Sequence, residues 1–376
     1  MFSRLGRQVF RNSRGLSWRG LVPALALLTT LWGLSITSVF DKCLQVRDPL
    51  KVRRSEEGAS TTSSVSPDSP RSFTLPLIDV VLFNDELPML KYRLRLHKHF
   101  VSRFVIVESN LTFTGRPKLL HARKYAEAGG FEGYDVLALQ VPYTQSEAQS
   151  DDPWVRELAT RSFVTKWIRD HLPASTVALS DVDELFDAEA LGKMLRDPVV
   201  RKLECFLVPM RFLYYSEACP ISRGRWGSSV VFRTGGTWFD EVYKRGEGVR
   251  PSSAGTSPFV TSTCPLMNYS FPNAGWHVSY AMETDAILDK LRSFSEHSHF
   301  VDDILRSDDP AALIESRIRR CADIYGRVEY PPLFCEDIDA RVFDFKVPPL
   351  DGLPRHPLAP TMSDWTSCSN ATRWSV

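Results

Sequence analysis

The sequence predicts an α/β domain on a mainly parallel sheet, preceded by one membrane-spanning helix and a flexible stem. Short β-branched runs alternate with helix-period segments between Leu77 and Arg196, which implies parallel strands with helices on both faces. Residues 21–40 (LVPALALLTTLWGLSITSVF) carry no charge. Residues 41–72 include SEEGASTTSSVSPDSPRS, a Ser/Thr/Pro-rich stretch with few large apolar side chains.

From the N-terminus, residues 1–20 hold Arg4, Arg7, Arg11, Arg14 and Arg19 and no acid. The next 20 residues span about 30 Å as a helix, enough for a bilayer core. Arginines on the N-terminal flank keep that side cytoplasmic, so the remainder is expected in a lumen. A signal peptide cleaved around Ser35–Ser38 and an Arg/Ser-rich transit peptide are the alternatives. The stem cannot bury enough surface to offset its ordering entropy. The folded domain is expected from Phe73 to the C-terminus at Val376.

The charge is lopsided. Residues 1–54 hold ten Lys/Arg against two Asp/Glu, leaving 36 against 43 for the rest. A mildly acidic domain argues against nucleic-acid binding. Seven cysteines contain no Cys-x-x-Cys pair, which disfavours a zinc knuckle. Six fall in the folded region, where an oxidising lumen permits up to three disulfides of undetermined pairing. Cys43, just beyond the span, is placed either to link two chains as a homodimer or to stay free. Glycosylation sequons stand at Asn110, Asn268 and Asn370.

Within the domain, Leu77–Phe83 reads as a strand. Glu86–Phe100 reads as a helix, with Leu87, Leu90 and Leu94 at helical spacing. Arg103–Glu108, Tyr134–Val141 and Ser175–Ser180 read as further strands. Arg116–Ala128, Trp154–His171 and Ala188–Arg196 read as helices. Residues 203–245 suggest mixed or antiparallel strands. Helix returns from Met282 to about Tyr325. His97 and His99 alternate too loosely for a metal site and read as surface residues.

The sharpest local feature is Ala178-Leu-Ser-Asp-Val-Asp-Glu-Leu-Phe-Asp187. Asp181, Asp183, Glu184 and Asp187 follow a buried strand at the edge where open α/β sheets bind ligands. Clustered carboxylates repel unless a cation compensates, and oxygen-rich clusters suit Mg2+ or Mn2+. An EF-hand fails, because Phe186 and Gly192 occupy its Gly and Glu positions. An aspartyl phosphatase carries its Asp-x-Asp on the first strand. A sugar-nucleotide site carries it after about three strands and matches best. An acidic helix start is the plain alternative. Gly-x-Ser-x-Gly, the P-loop, Gly-x-Gly-x-x-Gly and His-Glu-x-x-His are absent from the sequence.

Three ordered blocks, Phe104–Pro117 (FVIVESNLTFTGRP), the cluster SDVDE, and Ala274–Tyr280 (AGWHVSY) with Lys290-Leu-Arg-Ser and Glu329-Tyr-Pro-Pro, resemble glycosyltransferase family 17, the family of the enzyme that adds bisecting N-acetylglucosamine to N-glycans. The resemblance spans residues 77–332. It implies a GT-A-like, inverting, Golgi-anchored type II enzyme with UDP-GlcNAc as donor, a divalent metal, usually Mn2+, and a glycan acceptor. Asp183 would then coordinate the metal, with Asp181 supporting it or the ribose. Glu184, Asp187 and His277, in that order, are candidates for the base that accepts the acceptor proton.

Glu108, Gly115, Lys118, Arg161 and Lys290 are candidates for the donor side. Their plain readings are a surface carboxylate, a tight turn and solvated helix charges. Trp276 and His277 are placed to stack on and hydrogen-bond the acceptor sugar. Their plain reading is core packing. A glycan on Asn110 would obstruct the donor edge, so Asn110 is expected to stay unmodified. Two rivals remain: a non-catalytic glycan-binding relative and a metal-dependent phosphohydrolase.

Overall fold

A computed structural model describes residues 77–221, 227, 229–246, 248–249, 263–267, 273–295, 299–327 and 351–361. The chain divides into Met1–Pro67 and Asp68–Val376, and every described residue lies in the second unit. The expected span at 21–40, the stem, Cys43, Asn268 and Asn370 lie outside the described residues. Among the described residues no helix is long and apolar enough to cross a membrane.

Six strands form the main sheet. They are β1 (Leu77–Leu82), β2 (Val101–Glu108), β3 (Val136–Gln140), β4 (Thr176–Asp181), β6 (Cys205–Leu207) and β8 (Val230–Arg233). Their order is β3-β2-β1-β4-β8-β6. The first four are mutually parallel, while β8 runs antiparallel to both β4 and β6. The expected mainly parallel α/β sheet is therefore observed. A second sheet, β5-β9-β7, is built from β5 (Glu184–Phe186), β7 (Arg211–Tyr214) and β9 (Gly275–Ser279).

Near-continuous apolar runs bury β1, β2 and β4 on both faces, while the edge strand β3 is only half-buried. Successive side chains alternate, so Val80, Val105 and Leu179 point to one layer and Val81, Ile106 and Ala178 to the other. The first layer packs on helix α4 (Pro153–His171) and α6 (Thr237–Lys244), and the second on α1 (Leu87–His97) and α5 (Ala188–Arg196). A third cluster joins β7 to α7 (Thr284–Ser293), α8 (His299–Leu305) and α9 (Pro310–Arg319). Disulfides Cys205–Cys264 and Cys219–Cys321 tie distant segments, while Cys335 and Cys368 lie outside the described residues.

Two expected elements differ. Helix begins at His121 rather than near Arg116, as α2 (His121–Glu127). The preceding residues are held as a loop, where Leu111 bridges Pro117 and Lys118 N donates to Asn110 O. A one-turn helix, α3 (Gln145–Ala148), fills the connection before α4 and carries a Thr144–Glu147 capping box.

The chain runs outward from β1 through β2 to β3, then returns to place β4 on β1's other side. That reversal opens a crevice between the carboxyl ends of β1 and β4. Leu82 and Asp181 are register partners there, so both strand tips reach the crevice at the same level.

Candidate active site

A cavity of about 290 Å3 occupies this crevice. Leu82, Phe83, Asn84 and Glu86 enter it from the end of β1 and the turn after it, Glu108 and Ser109 from the end of β2, and Asp181 and Asp183 from the end of β4 and its following turn. Lys118, Glu157, Arg161, Lys290 and Arg327 add further charge to its lining, together with the imidazole of His277. A neighbouring cavity of about 370 Å3 shares Glu86 and Asp183 with it.

The turn between β4 and β5 is set by a buried network. Arg93 of α1 is fully enclosed and forks onto Asp79, with Nη2 2.7 Å from Oδ1 and Nε 2.9 Å from Oδ2. The same guanidinium donates to Ser180 Oγ at 2.6 Å, Asp181 O at 2.9 Å and Glu184 O at 2.5 Å. His97 Nδ1 lies 3.0 Å from Asp79 Oδ2, and its Nε2 accepts from Phe186 N at 2.9 Å. Burial opposes ionisation of Asp79, but Arg93 and His97 outweigh it and hold the carboxyl at about 2. Burial lowers His97 to about 4. His97 was expected at the surface; it is instead a core residue that ties α1 to β5.

Asp183 is the electrostatic centre. Its Oδ2 lies 3.0 Å from Lys290 Nζ, and its Oδ1 lies 3.4 Å from His277 Nε2. Burial raises the Asp183 carboxyl, yet Lys290 and then His277 overcome that and hold it far below the usual carboxylate range. Lys290 also pairs with Glu86 Oε1 at 3.0 Å. Burial works against its charge, but Asp183 and Glu86 drive the ammonium above its ordinary value. Asp85, on the neighbouring cavity, is raised to about 6 by burial and then by Glu86. Burial lowers Lys118, opposed by Glu108. Lys118 Nζ donates to Asn84 O at 2.7 Å.

Two expected bases are spent on backbone. Glu184 is fully buried, and its Oε2 accepts from Asp181 N at 3.0 Å and Ser229 Oγ at 2.8 Å. Asp187 caps α5, accepting from Glu189 N at 2.9 Å and Ala190 N at 3.0 Å. Neither lines the cavity, so these carboxylates hold the turn and the helix rather than face a substrate. His277 does line it, stacked on Phe212 at 4.7 Å.

The remaining candidates divide similarly. Trp276 is 3% exposed and opposes Leu185 in the core, on the face of β9 away from His277, so it does not reach the cavity. Glu108 lines the cavity, but its two oxygens accept from Ala122 N and Arg123 N at 3.1 and 2.8 Å. Gly115 lies outside the lining and permits a turn: φ is +84°, and an added Cβ would sit 3.1 Å from Arg156 Nη2. Arg161 pairs with Glu157, which also accepts from Ser295 Oγ. Its Nη1 is buried without a partner among the described residues. Asn110 is exposed on the loop leaving β2, between the lining residues Ser109 and Leu111.

The sequence reading missed Asn84, Asp85 and Glu86. The signal was present: polar Asn-Asp-Glu directly follows the buried run ending at Phe83, as Asp181 follows β4. It also missed the aromatic wall of Phe212, Tyr214, Tyr280 and Tyr325.

Comparison with curated proteins finds no match. Among solved structures, the chain is similar to a mannosyltransferase from Pyrobaculum calidifontis in complex with GDP-Man and Mn2+, at 13% identity, 76% coverage of both chains and a TM-score of 0.35. It is also similar to the inositol-1-phosphate CTP transferase from T. maritima, at 12% identity, covering 54% of this chain and 85% of that one, with a TM-score of 0.27. Neither score is high enough to bear on function. A family profile, by contrast, matches residues 59–254, over half of the 376 residues, and on that match the protein belongs to glycosyltransferase family 17.

Proposed function

We propose that the protein transfers N-acetylglucosamine from UDP-GlcNAc to a glycan hydroxyl, with inversion, in a GT-A-type site. One observation carries the reading. A single cavity at the sheet's carboxyl edge gathers Asp181 and Asp183 with four cations, Lys118, Arg161, Lys290 and Arg327. A nucleotide diphosphate needs that combination of cations for its phosphates and carboxylates for a metal or ribose. Arg161 Nη1, a buried donor with no partner among the described residues, suits an anionic or carbonyl oxygen of the donor.

The donor set also bears on the metal. Among the described residues no group of three or more His, Cys, Asp or Glu is gathered for one ion. Asp181 and Asp183 line one cavity, and such ions take one or two carboxylates and complete their shell from substrate phosphates. The residues therefore fit a divalent ion shared with a diphosphate, and Asp183 and Asp181 would hold it. Such an ion supplies Lewis-acid neutralisation of the departing diphosphate.

The chain's own groups do the rest. Lys290 and Lys118 line the cavity and neutralise phosphate charge there. His277 is our choice of base, because it alone of the three candidates faces the cavity. Its imidazole takes the acceptor proton as that oxygen bonds to the sugar carbon and the diphosphate leaves from the opposite face. The neighbouring cavity meets this point at Asp183 and Glu86, and we place the acceptor sugar there.

We further propose a luminal, Golgi-anchored location. Residues 21–40 support the anchor, and two disulfides suit an oxidising compartment. The test incubates the protein with a panel of nucleotide sugars and free N-glycans in Mn2+. The expected product is an acceptor heavier by one N-acetylhexosamine, from UDP-GlcNAc only, and lost in Asp183→Asn. Nucleotide hydrolysis without a heavier acceptor, or an unchanged Asp183→Asn, refutes the reading.

A further inference from the structure

Lys290 of α7 lines the cavity and lies between two carboxylates. Its Nζ is 3.0 Å from Asp183 Oδ2, 3.0 Å from Glu86 Oε1, and 5.2 Å from the centroid of the Tyr280 ring. The other oxygen of Asp183 faces His277 Nε2 at 3.4 Å. Both oxygens of the expected metal ligand therefore already face a protein group. A carboxylate only 5% exposed is costly without a cation, and here the ammonium supplies one.

We propose that Lys290 is a resident counter-cation at Asp183, and that a divalent metal enters only together with a nucleotide diphosphate, which draws the ammonium away. The inference rests on the donor reading of the cavity. An ammonium and a dication against one carboxylate this deeply buried repel each other. The metal alone must therefore displace Lys290 from Asp183. A diphosphate changes the balance in two ways. Its oxygens complete the metal's shell, and they offer Lys290 a new anionic partner while Glu86 keeps hold of it. Metal and nucleotide then strengthen each other's binding by the same factor, as linkage requires. Lys290 is in this account a positioning residue for the ion, besides any contact with phosphate.

The test measures Mn2+ binding directly, by the paramagnetic resonance signal of free Mn2+, on the full-length chain with and without UDP. Wild type is expected to bind Mn2+ at least about tenfold more tightly when UDP is present, a coupling of about 1.4 kcal/mol. Lys290→Gln is expected to bind Mn2+ alone at least about tenfold more tightly than wild type alone, with UDP adding less. Lys290→Arg keeps a cation at Asp183 and is expected to bind Mn2+ alone as weakly as wild type, which preserves a test should Lys290→Gln not fold. If Lys290→Gln binds Mn2+ alone no more tightly than wild type while UDP still strengthens binding, the counter-cation proposal alone fails. Tight binding of Mn2+ alone by Lys290→Arg also overturns it. If UDP leaves Mn2+ affinity unchanged in every protein, the donor reading fails with it.

Discussion

Acid should loosen this fold through one imidazole. His97 Nε2 accepts a hydrogen bond from Phe186 N, so that nitrogen must be unprotonated, while Nδ1 faces Asp79. Protonation would set two N–H groups against each other across a 2.9 Å contact in the core. The folded chain therefore resists charging His97, holding it at about 4 against an ordinary 6.5. The unfolded chain takes that proton near 6.5, so the stability contribution is intact above 6.5 and lost as the pH falls toward 4. By pH 4.5 the loss is on the order of 2–3 kcal/mol, at roughly 1.4 kcal/mol per pH unit. Urea unfolding of wild type and His97→Gln at pH 7 and pH 4.5 isolates this from the other histidines. His97→Gln is less stable at pH 7, and the gap should shrink by roughly 2–3 kcal/mol at pH 4.5. A gap of equal size at both pH values refutes the reasoning.

Three further outcomes follow from separate parts of the structure. Asp187→Ala removes the α5 cap and should cost about 1 kcal/mol in urea unfolding while leaving transfer within about twofold of wild type. Breaking Cys219–Cys321, which closes a loop of 102 residues, should destabilise by about 4 kcal/mol, measured as the unfolding midpoint of Cys321→Ser. Gly115→Ala meets both positive φ and the Arg156 guanidinium, and should cost about 1–2 kcal/mol by the same assay.

The parallel strands were legible because each is a short apolar run between helix-period segments, and that pattern is written locally. The acidic cluster was legible for the same reason, since β4 ends abruptly in carboxylates. Their division of labour was not. Asp181, Asp183, Glu184 and Asp187 look alike in sequence, and only the path of the chain puts Glu184 on Asp181 N and Asp187 on a helix N-terminus. Trp276 and His277 pose the same difficulty. Alternation along a strand says they face opposite ways, but not which one faces the cavity. His97 read as polar surface because its partners, Asp79 and Phe186, are 18 and 89 residues away. Such burial is a tertiary property with no local signature. Glu86 and Lys290 form a pair for which neither periodicity nor motif gives a sign.

The most direct measurement is amide hydrogen exchange on the full-length chain with and without UDP and Mn2+. The account predicts slowed exchange at residues 82–86, 107–118 and 181–184, where three strand tips and their loops surround the nucleotide. Protection confined to other segments, or none at a UDP concentration that saturates binding, would contradict it.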